Sequence, residues 1–251
     1  MIGPLKIIKS GKALFLAYDQ GLEHGPSDFN DKNVNPLYVL EIARKGKYTG
    51  IIFQKGIAEK YKKEIKKSKV PLIVKLNGKT NLVKGEPISA QLCTVKEAIE
   101  LGASAVGFTI YIGSKYEEEM LEEFEKIQRQ AHNKKLPVIA WIYPRGKSIK
   151  SIKKSKLMPY SARTGLEIGA DIVKIQYTQN KKALAWAVKS AGKTKVVIAG
   201  GMKKSEKQLL KQAKEIMNSG CIGLAIGRNI WQSKNPMGIT KKIKKIIWSR
   251  K

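Results

Sequence analysis

A lysine inside an apolar segment is the residue of this sequence best suited to act as a nucleophile. Lys174 lies within residues 171–178, Asp-Ile-Val-Lys-Ile-Gln-Tyr-Thr. Burial in such a segment disfavours the ammonium form and lowers the pKa of the amine, which can then form a Schiff base with a carbonyl substrate. The alternative is structural, with the ammonium paired to Asp19 or another carboxylate in a network that fills the core.

Two aromatic residues at the end of another apolar run would serve the same chemistry. Trp141 and Tyr143 are two residues apart, so on a strand their side chains share a face. A phenol beside an imine can pass protons while a carbon–carbon bond breaks. The alternative is that both rings simply close the end of the core.

An acidic residue ends the first apolar run. Asp19 shares a strand face with Phe15 and Ala17, so its carboxylate is expected to point inward, where it would stabilise a lysine cation or orient a substrate hydroxyl. The loop that follows carries His24. A single loop histidine is more often a structural or surface residue than a catalyst.

Two glycine-containing segments are suited to binding an anion. They are Gly200-Gly201-Met-Lys203 and Gly227-Arg228, and each follows an apolar run. Glycine lets the backbone N–H groups approach an anion closely, and a guanidinium binds phosphate through two parallel hydrogen bonds. Either segment alone is common, but the two together at the ends of successive strands are more specific.

The arrangement of the apolar runs predicts the framework that holds these residues. Eight short runs alternate with segments of helical periodicity, which is typical of repeated β–α units around parallel strands. We therefore predict an α/β fold, a (β/α)₈ TIM barrel in one domain over residues 1–251, with the active site at the carboxyl ends of the strands. A doubly wound open sheet is the alternative architecture. The predicted strands are 14–19, 50–54, 72–76, 105–111, 138–143, 171–177, 195–199 and 223–227, and the predicted helices are 36–45, 94–101, 115–133, 158–168, 181–191, 205–218 and 239–249.

Composition excludes several classes of protein. The 251 residues are 42% hydrophobic, which is too apolar for a mainly disordered chain. The apolar runs are far shorter than the roughly 20 residues that cross a bilayer, so no membrane association is expected. With 2 histidines, a zinc site of three imidazoles is excluded. The cysteines Cys93 and Cys221 lie far apart and no signal peptide is recognised, so a cytoplasmic location is expected.

The net charge of +29 raises the question of a nucleic-acid partner. Lysines cluster at 60–69, 147–156 and 241–245, and such surfaces attract polyanions without base specificity. The lysines are nevertheless spread over the whole chain, and no nucleic-acid-binding motif is found. We expect a solvated lysine-rich surface and no specific nucleic-acid partner.

Five segments in the same order resemble the archaeal-type class I fructose-bisphosphate aldolases, which form a Schiff base with their substrate. The resemblance spans nearly the whole chain. The segments are Leu16-Ala-Tyr-Asp-Gln-Gly-Leu-Glu-His-Gly-Pro26, Phe53-Gln-Lys-Gly-Ile-Ala-Glu-Lys-Tyr61, Lys75-Leu-Asn-Gly-Lys-Thr80, Trp141-Ile-Tyr-Pro-Arg-Gly146 and Ala225-Ile-Gly-Arg-Asn-Ile-Trp231.

The resemblance implies an enzyme without metal or other cofactor that cleaves fructose 1,6-bisphosphate into dihydroxyacetone phosphate and glyceraldehyde 3-phosphate, and runs the reverse condensation. It implies that the partner is a phosphorylated sugar and that the protein is a homo-oligomer, as members are often decamers. Lys174 matches the Schiff-base lysine, Tyr143 the proton-transferring tyrosine, and Asp19 and Trp141 accompanying positions. The resemblance also implies a site for the ketose-end phosphate at Gly200, Gly201, Lys203, Gly227 and Arg228, and one for the distal phosphate at His24 and Arg145.

The sequence departs from the family at four positions. Gln20 stands where relatives often have histidine, Gln176 replaces a second lysine, and Ala199 and Met202 flank the double glycine where serine and proline are familiar. These changes leave Lys174 intact but bear on substrate preference. Two alternatives stay open: a related Schiff-base synthase of the archaeal aromatic pathway, and a basic nucleic-acid-binding protein on a barrel fold.

Overall fold

The barrel predicted from the sequence is closed in the computed structural model, which describes residues 5–249. Eight parallel strands follow one another around it, and the last pairs with the first. The prediction of a closed barrel is confirmed, and the open-sheet alternative is wrong. The barrel strands are β1 Ala13–Ala17, β2 Gly50–Gln54, β3 Leu72–Lys75, β6 Ala103–Ile110, β7 Val138–Ile142, β8 Ile172–Gln176, β9 Lys195–Ala199 and β10 Gly223–Ile226, and a separate two-stranded ribbon consists of β4 Asn77–Gly78 and β5 Ala90–Gln91.

The apolar runs form strands because both faces of each strand are covered. One set of side chains fills the interior, where Phe15, Ile52 and Ile139 are almost fully buried, and the other set packs outward against the helices. Continuous apolar sequence is what parallel strands with two covered faces require. Because the strands are parallel, all their carboxyl ends lie at one end of the barrel, as the site prediction assumes.

The helices surround this barrel. All seven predicted helices are present, α2 with the predicted bounds and the other six with shifted ends. The largest shift is in α7, which begins one turn before the predicted start at Met158 and carries Pro159 inside it. Thr94 forms a capping box with Glu97 at the start of α5. The helices are α1 Gly21–His24, α2 Pro36–Lys45, α3 Lys55–Lys60, α4 Lys62–Ser68, α5 Val95–Glu100, α6 Glu117–Asn133, α7 Lys154–Glu167, α8 Lys181–Ser190, α9 Glu206–Asn218, α10 Arg228–Trp231 and α11 Pro236–Ile247.

Four short helices were not predicted, namely α1, α3, α4 and α10. The pair α3 and α4 covers the lysine-rich segment after β2, where Ala58 and Ile65 are the buried side chains. One buried apolar residue per helix is too weak a periodic signal to stand out among lysines. Among all the helices described, none is long and apolar enough to span a membrane.

The long loop after β3 is tied to the barrel by a buried amide. Asn77 accepts a hydrogen bond from Thr109 N at 2.8 Å and donates one each to the carbonyls of Thr109, at 2.8 Å, and Ser89, at 3.1 Å. An amide whose donor and acceptor are both satisfied holds the loop firmly against β6. The β4–β5 ribbon begins at Asn77, just after the carboxyl end of β3, and therefore lies near the mouth of the barrel.

Candidate active site

A cavity of about 140 Å³ opens at the carboxyl ends of the strands. Ten of the eleven residues predicted for the site line it, and the exception is Lys203. Lys203 is exposed and donates to the carbonyl of Gln232 at 3.1 Å, away from the cavity. The fold thus brings together residues from five strand ends and the loops that follow them.

Lys174 lies in the middle of β8 with its side chain in the barrel interior. The residue is 5% exposed, and its Nζ lies 4.8 Å from the centre of the Trp141 ring on the neighbouring strand. Burial lowers the pKa of its amine from 10.5 to about 8, an effect that Asp19 opposes and Lys75 reinforces. The predicted direction of this shift is confirmed, and a usable fraction of neutral amine exists near neutral pH.

Asp19 makes its ion pair with Lys75 and not with Lys174. Its Oδ2 lies 3.5 Å from Nζ of Lys75, and both residues are buried. Within residues 5–249, Lys174 makes no ion pair. The structural alternative of a Lys174–Asp19 pair is therefore wrong. Burial alone would raise the pKa of Asp19, but the ammonium groups of Lys174 and Lys75 outweigh it and lower that pKa, so Asp19 is an anion.

Trp141 has its position because the adjacent strand carries no side chain opposite the ring. A Cβ atom at Gly107 of β6 would lie 1.6 Å from the Trp141 ring, so only glycine fits there. The ring then faces the Lys174 ammonium at a distance suited to a cation–π contact. Trp141 therefore contacts the Lys174 ammonium as well as closing the core.

Tyr143 follows β7 directly, and the Nζ of Lys174 lies 5.9 Å from the centre of its ring. Burial raises the pKa of its phenol well above 10, and the negative charge of Asp19 raises it further. No hydrogen bond engages its hydroxyl within residues 5–249. The group is thus a neutral phenol with a free hydroxyl in the cavity, which is the form that donates a proton.

The two glycine segments meet at the cavity wall, but their N–H groups are not equally available. The N–H of Gly200 donates to the carbonyl of Ala225 at 2.8 Å, so it is already used. Gly201 has a φ of 68°, in the left-handed region that favours glycine. At Gly227, a Cβ would lie 2.5 Å from the carbonyl oxygen of Ala17, which explains the glycine there.

Three of the four basic side chains predicted for phosphate binding contact acidic neighbours, and the exception is Lys203. Arg228 lies 3.3 Å from Asp28, whose other oxygen contacts His24 at 2.5 Å. Arg145 donates to Glu23 at 2.7 Å. Arg228 and Arg145 both line the cavity, where a phosphate would compete with the carboxylates for them.

Lys75 and Glu23 are the charged lining residues that lie outside the predicted set. Lys75 ends the apolar run Leu-Ile-Val-Lys of β3, so the signal used for Lys174 was present there too. In a chain this rich in lysine, the residue type alone carries little information. Glu23 carries no local signal, since its role depends on Arg145, which is 122 residues away.

Comparison with known proteins agrees with this geometry. A family model described as DeoC/LacD family aldolase matches residues 13–233. The class 1 fructose-bisphosphate aldolase of Thermoproteus tenax is 45% identical over 246 residues, which cover 97% of this chain and 92% of the relative. The corresponding enzyme of Halobacterium salinarum is 43% identical over 244 residues, 96% of this chain and 92% of the relative.

Solved structures give the same result. A crystal structure of an archaeal fructose 1,6-bisphosphate aldolase has a TM-score of 0.92 at 44% identity and covers 98% of each chain. A second structure of an archaeal aldolase, with its catalytic lysine covalently bound to the carbinolamine intermediate of the substrate, has a TM-score of 0.91 at 44% identity and also covers 98% of each chain.

Proposed function

This chain belongs to the DeoC/LacD family of aldolases, and from that membership we propose that it is a class I fructose-1,6-bisphosphate aldolase with Lys174 as its Schiff-base lysine. It cleaves the substrate to dihydroxyacetone phosphate and glyceraldehyde 3-phosphate and catalyses the reverse condensation. The observation that carries the assignment of Lys174 is its buried amine, without an ion pair among the described residues and with a lowered pKa, in the cavity at the strand ends.

The reaction begins at the ketone of the substrate. The neutral amine of Lys174 attacks carbon 2, and the carbonyl oxygen takes up protons and leaves as water, which gives a protonated imine. This cation withdraws the electron pair of the bond between carbons 3 and 4, so no metal or other cofactor is needed as the electron sink. The face of Trp141, which contacts the ammonium in the free enzyme, stabilises the iminium in the same place.

Tyr143 carries the proton of the bond-breaking step. In condensation the neutral phenol donates to the aldehyde oxygen as that oxygen becomes a hydroxyl. In cleavage the hydroxyl on carbon 4 gives its proton to the oxygen of Tyr143 as the phenol passes its own proton toward the anionic Asp19, while the bond breaks and the aldehyde leaves. The enamine is then protonated at carbon 3, and water hydrolyses the imine to release the ketone and restore Lys174.

The phosphates orient the sugar. We propose that Gly200, Gly201, Gly227 and Arg228 form the site of the ketose-end phosphate, with Lys203 at its outer edge, and that Arg145 and His24 hold the distal phosphate. Because Gly200 donates to Ala225, its contribution is close backbone approach, and the free donors come from Gly201 onward. Holding both ends places carbon 2 against Lys174.

A coupled assay tests this function directly. The protein, treated with excess chelator, is expected to convert fructose 1,6-bisphosphate to the two triose phosphates. Their formation is measured with a coupling dehydrogenase that consumes a triose phosphate. The alternative, the aromatic-pathway synthase, is tested by supplying a sugar-derived ketone with an aspartate-derived aldehyde and measuring which donor is consumed. Consumption of that pair, without cleavage of fructose 1,6-bisphosphate, would contradict the assignment.

The pH dependence of kcat/KM is expected to have an acid limb with a midpoint near 8. The pKa of Lys174 is lowered to about 8, and only the neutral amine attacks, so each pH unit below that value reduces the reactive fraction about tenfold. Initial rates at low substrate concentration between pH 5.5 and 9 measure the limb. A flat profile over this range would show that the free amine of Lys174 does not limit the reaction.

We propose further that residues 1–251 form one domain, that the protein is a homo-oligomer, as large as a decamer, and that it acts in the cytoplasm without a specific nucleic-acid or membrane partner. Both cysteines, Cys93 and Cys221, are buried and free, which suits a reducing compartment. Light scattering of the purified protein measures the assembly, and a monomer mass would contradict the oligomer. Binding of RNA that persists at 150 mM salt would contradict the absence of a nucleic-acid partner.

A further inference from the structure

A second buried lysine faces the cavity, and the chemistry proposed above does not use it. Lys75 is the last residue of β3, is 6% exposed, and lies on the strand that neighbours β2 and β6. Burying an ammonium costs several kcal/mol unless a partner compensates for the lost hydration. Here that partner is Asp19, whose Oδ2 lies 3.5 Å from the Lys75 Nζ.

A carboxylate without its own partner in the same cavity would make Lys174 a weaker nucleophile, because it would favour the protonated form. Asp19 lowers the energy of a protonated Lys174, because an opposite charge nearby favours the ammonium and so raises the pKa of the amine. An ion pair between the two would keep Lys174 protonated and unable to attack a ketone. The observed pairing avoids this, since Asp19 makes its ion pair with Lys75.

We propose that Lys75 is a positioning residue that holds Asp19 in an ion pair and so leaves the amine of Lys174 free to lose its proton. This inference rests on the proposed function, because it concerns the nucleophile of that reaction. Lys75 acts in two ways that add together. It occupies the carboxylate, and its own positive charge repels a proton on Lys174.

The other charged groups at the cavity leave this role to Lys75. Of the two carboxylates that line it, Glu23 is engaged by Arg145, which leaves Asp19 as the one whose partner decides the charge of Lys174. Tyr143 is a neutral phenol. The remaining basic side chains of the lining, His24 and Arg228, both contact Asp28.

The test is the pH dependence of imine formation, measured by borohydride trapping of the adduct on Lys174 with fructose 1,6-bisphosphate. In Lys75→Met the acid limb is expected to move to higher pH by about one unit or more, with a plateau retained at alkaline pH. Lys75→Arg keeps the charge and is expected to restore the limb to its original position. A purely structural role would instead lower the plateau at every pH without moving the limb.

Three further variants complete the design. Lys55→Met is the matched control: Lys55 directly follows neighbouring β2 and pairs with Glu97 outside the cavity, so no movement of the limb is expected. Lys75→Gln, neutral but able to hydrogen-bond Asp19, replaces Lys75→Met if that variant does not fold. Adding Asp19→Asn to the neutral Lys75 variant removes the carboxylate that favours protonated Lys174. The midpoint of the acid limb is then expected to return to lower pH.

The outcomes separate the two proposals. An unchanged limb in the neutral Lys75 variants, with wild-type protein giving the adduct, overturns the role of Lys75 and leaves the aldolase assignment intact. The absence of any adduct in the wild-type protein, at any pH, is instead a failure of the proposed function.

Discussion

Replacing Lys174 by Met is expected to lower kcat/KM for cleavage of fructose 1,6-bisphosphate by about a thousandfold or more, because no other group forms the imine that accepts the electron pair. Lys75 is the other buried lysine of the cavity, but it is held by Asp19 and cannot substitute. Steady-state rates with and without chelator measure the loss. Cleavage at the original rate would contradict the mechanism.

The same variant is expected to be folded and more stable than the original protein at pH 7. Burial lowers the pKa of Lys174 from 10.5 to about 8, so below pH 8 the folded protein carries a buried ammonium that costs about 3 kcal/mol relative to the unfolded chain. Met removes that cost. The difference in Tm should therefore be present at pH 7 and shrink as the pH rises through 8 toward 10.5, where Lys174 is neutral in both states. A lower Tm for the variant at pH 7 would contradict this view of the buried amine.

Tyr143→Phe is expected to lower kcat by about 10²- to 10⁴-fold, the range that general acid–base groups contribute, while the imine on Lys174 still forms. The phenyl ring keeps the packing around Lys174 but cannot carry the proton of the hydroxyl on carbon 4. Cleavage should therefore stop after the imine, and borohydride should still trap the substrate on the enzyme. Rates and trapped adduct are measured on the same preparation.

A matched control for this variant is Tyr177→Phe. Tyr177 follows β8 as Tyr143 follows β7, but its hydroxyl donates to Glu215 at 3.0 Å, and it does not line the cavity. Its loss should change kcat by no more than a few fold. If Tyr143→Phe reduced trapping and cleavage to the same extent, Tyr143 would act before or during imine formation, and the proton-transfer role would be wrong.

The sequence predicted what depends on local pattern. Eight continuous apolar runs gave the closed barrel, because buried parallel strands need both faces apolar. Lys174 was predicted from its apolar neighbours, and burial of the side chain with a lowered pKa follows from the same feature. The spacing of Trp141 and Tyr143 at a strand end predicted that both would lie at the site, and both line the cavity.

What the sequence did not predict depends on contacts between distant residues. The sequence left an ion pair between Asp19 and Lys174 open as an alternative. In the structure Asp19 pairs with Lys75, and only the relative positions of three strand ends decide between the two. The sequence does not indicate why residue 107 is glycine. In the structure the Trp141 ring occupies the space that a side chain at residue 107 would fill. Likewise, the sequence suggests that the N–H of Gly200 is free to bind an anion, but in the barrel it donates a hydrogen bond to the carbonyl of Ala225.

The most direct test of the account is to reduce the protein with borohydride in the presence of fructose 1,6-bisphosphate and excess chelator, and to locate the adduct by mass analysis of its peptides. The account predicts one stable adduct, on Lys174, absent from Lys174→Met and independent of the chelator. No adduct in a protein shown to be folded, or an adduct confined to another lysine such as Lys75, would contradict it.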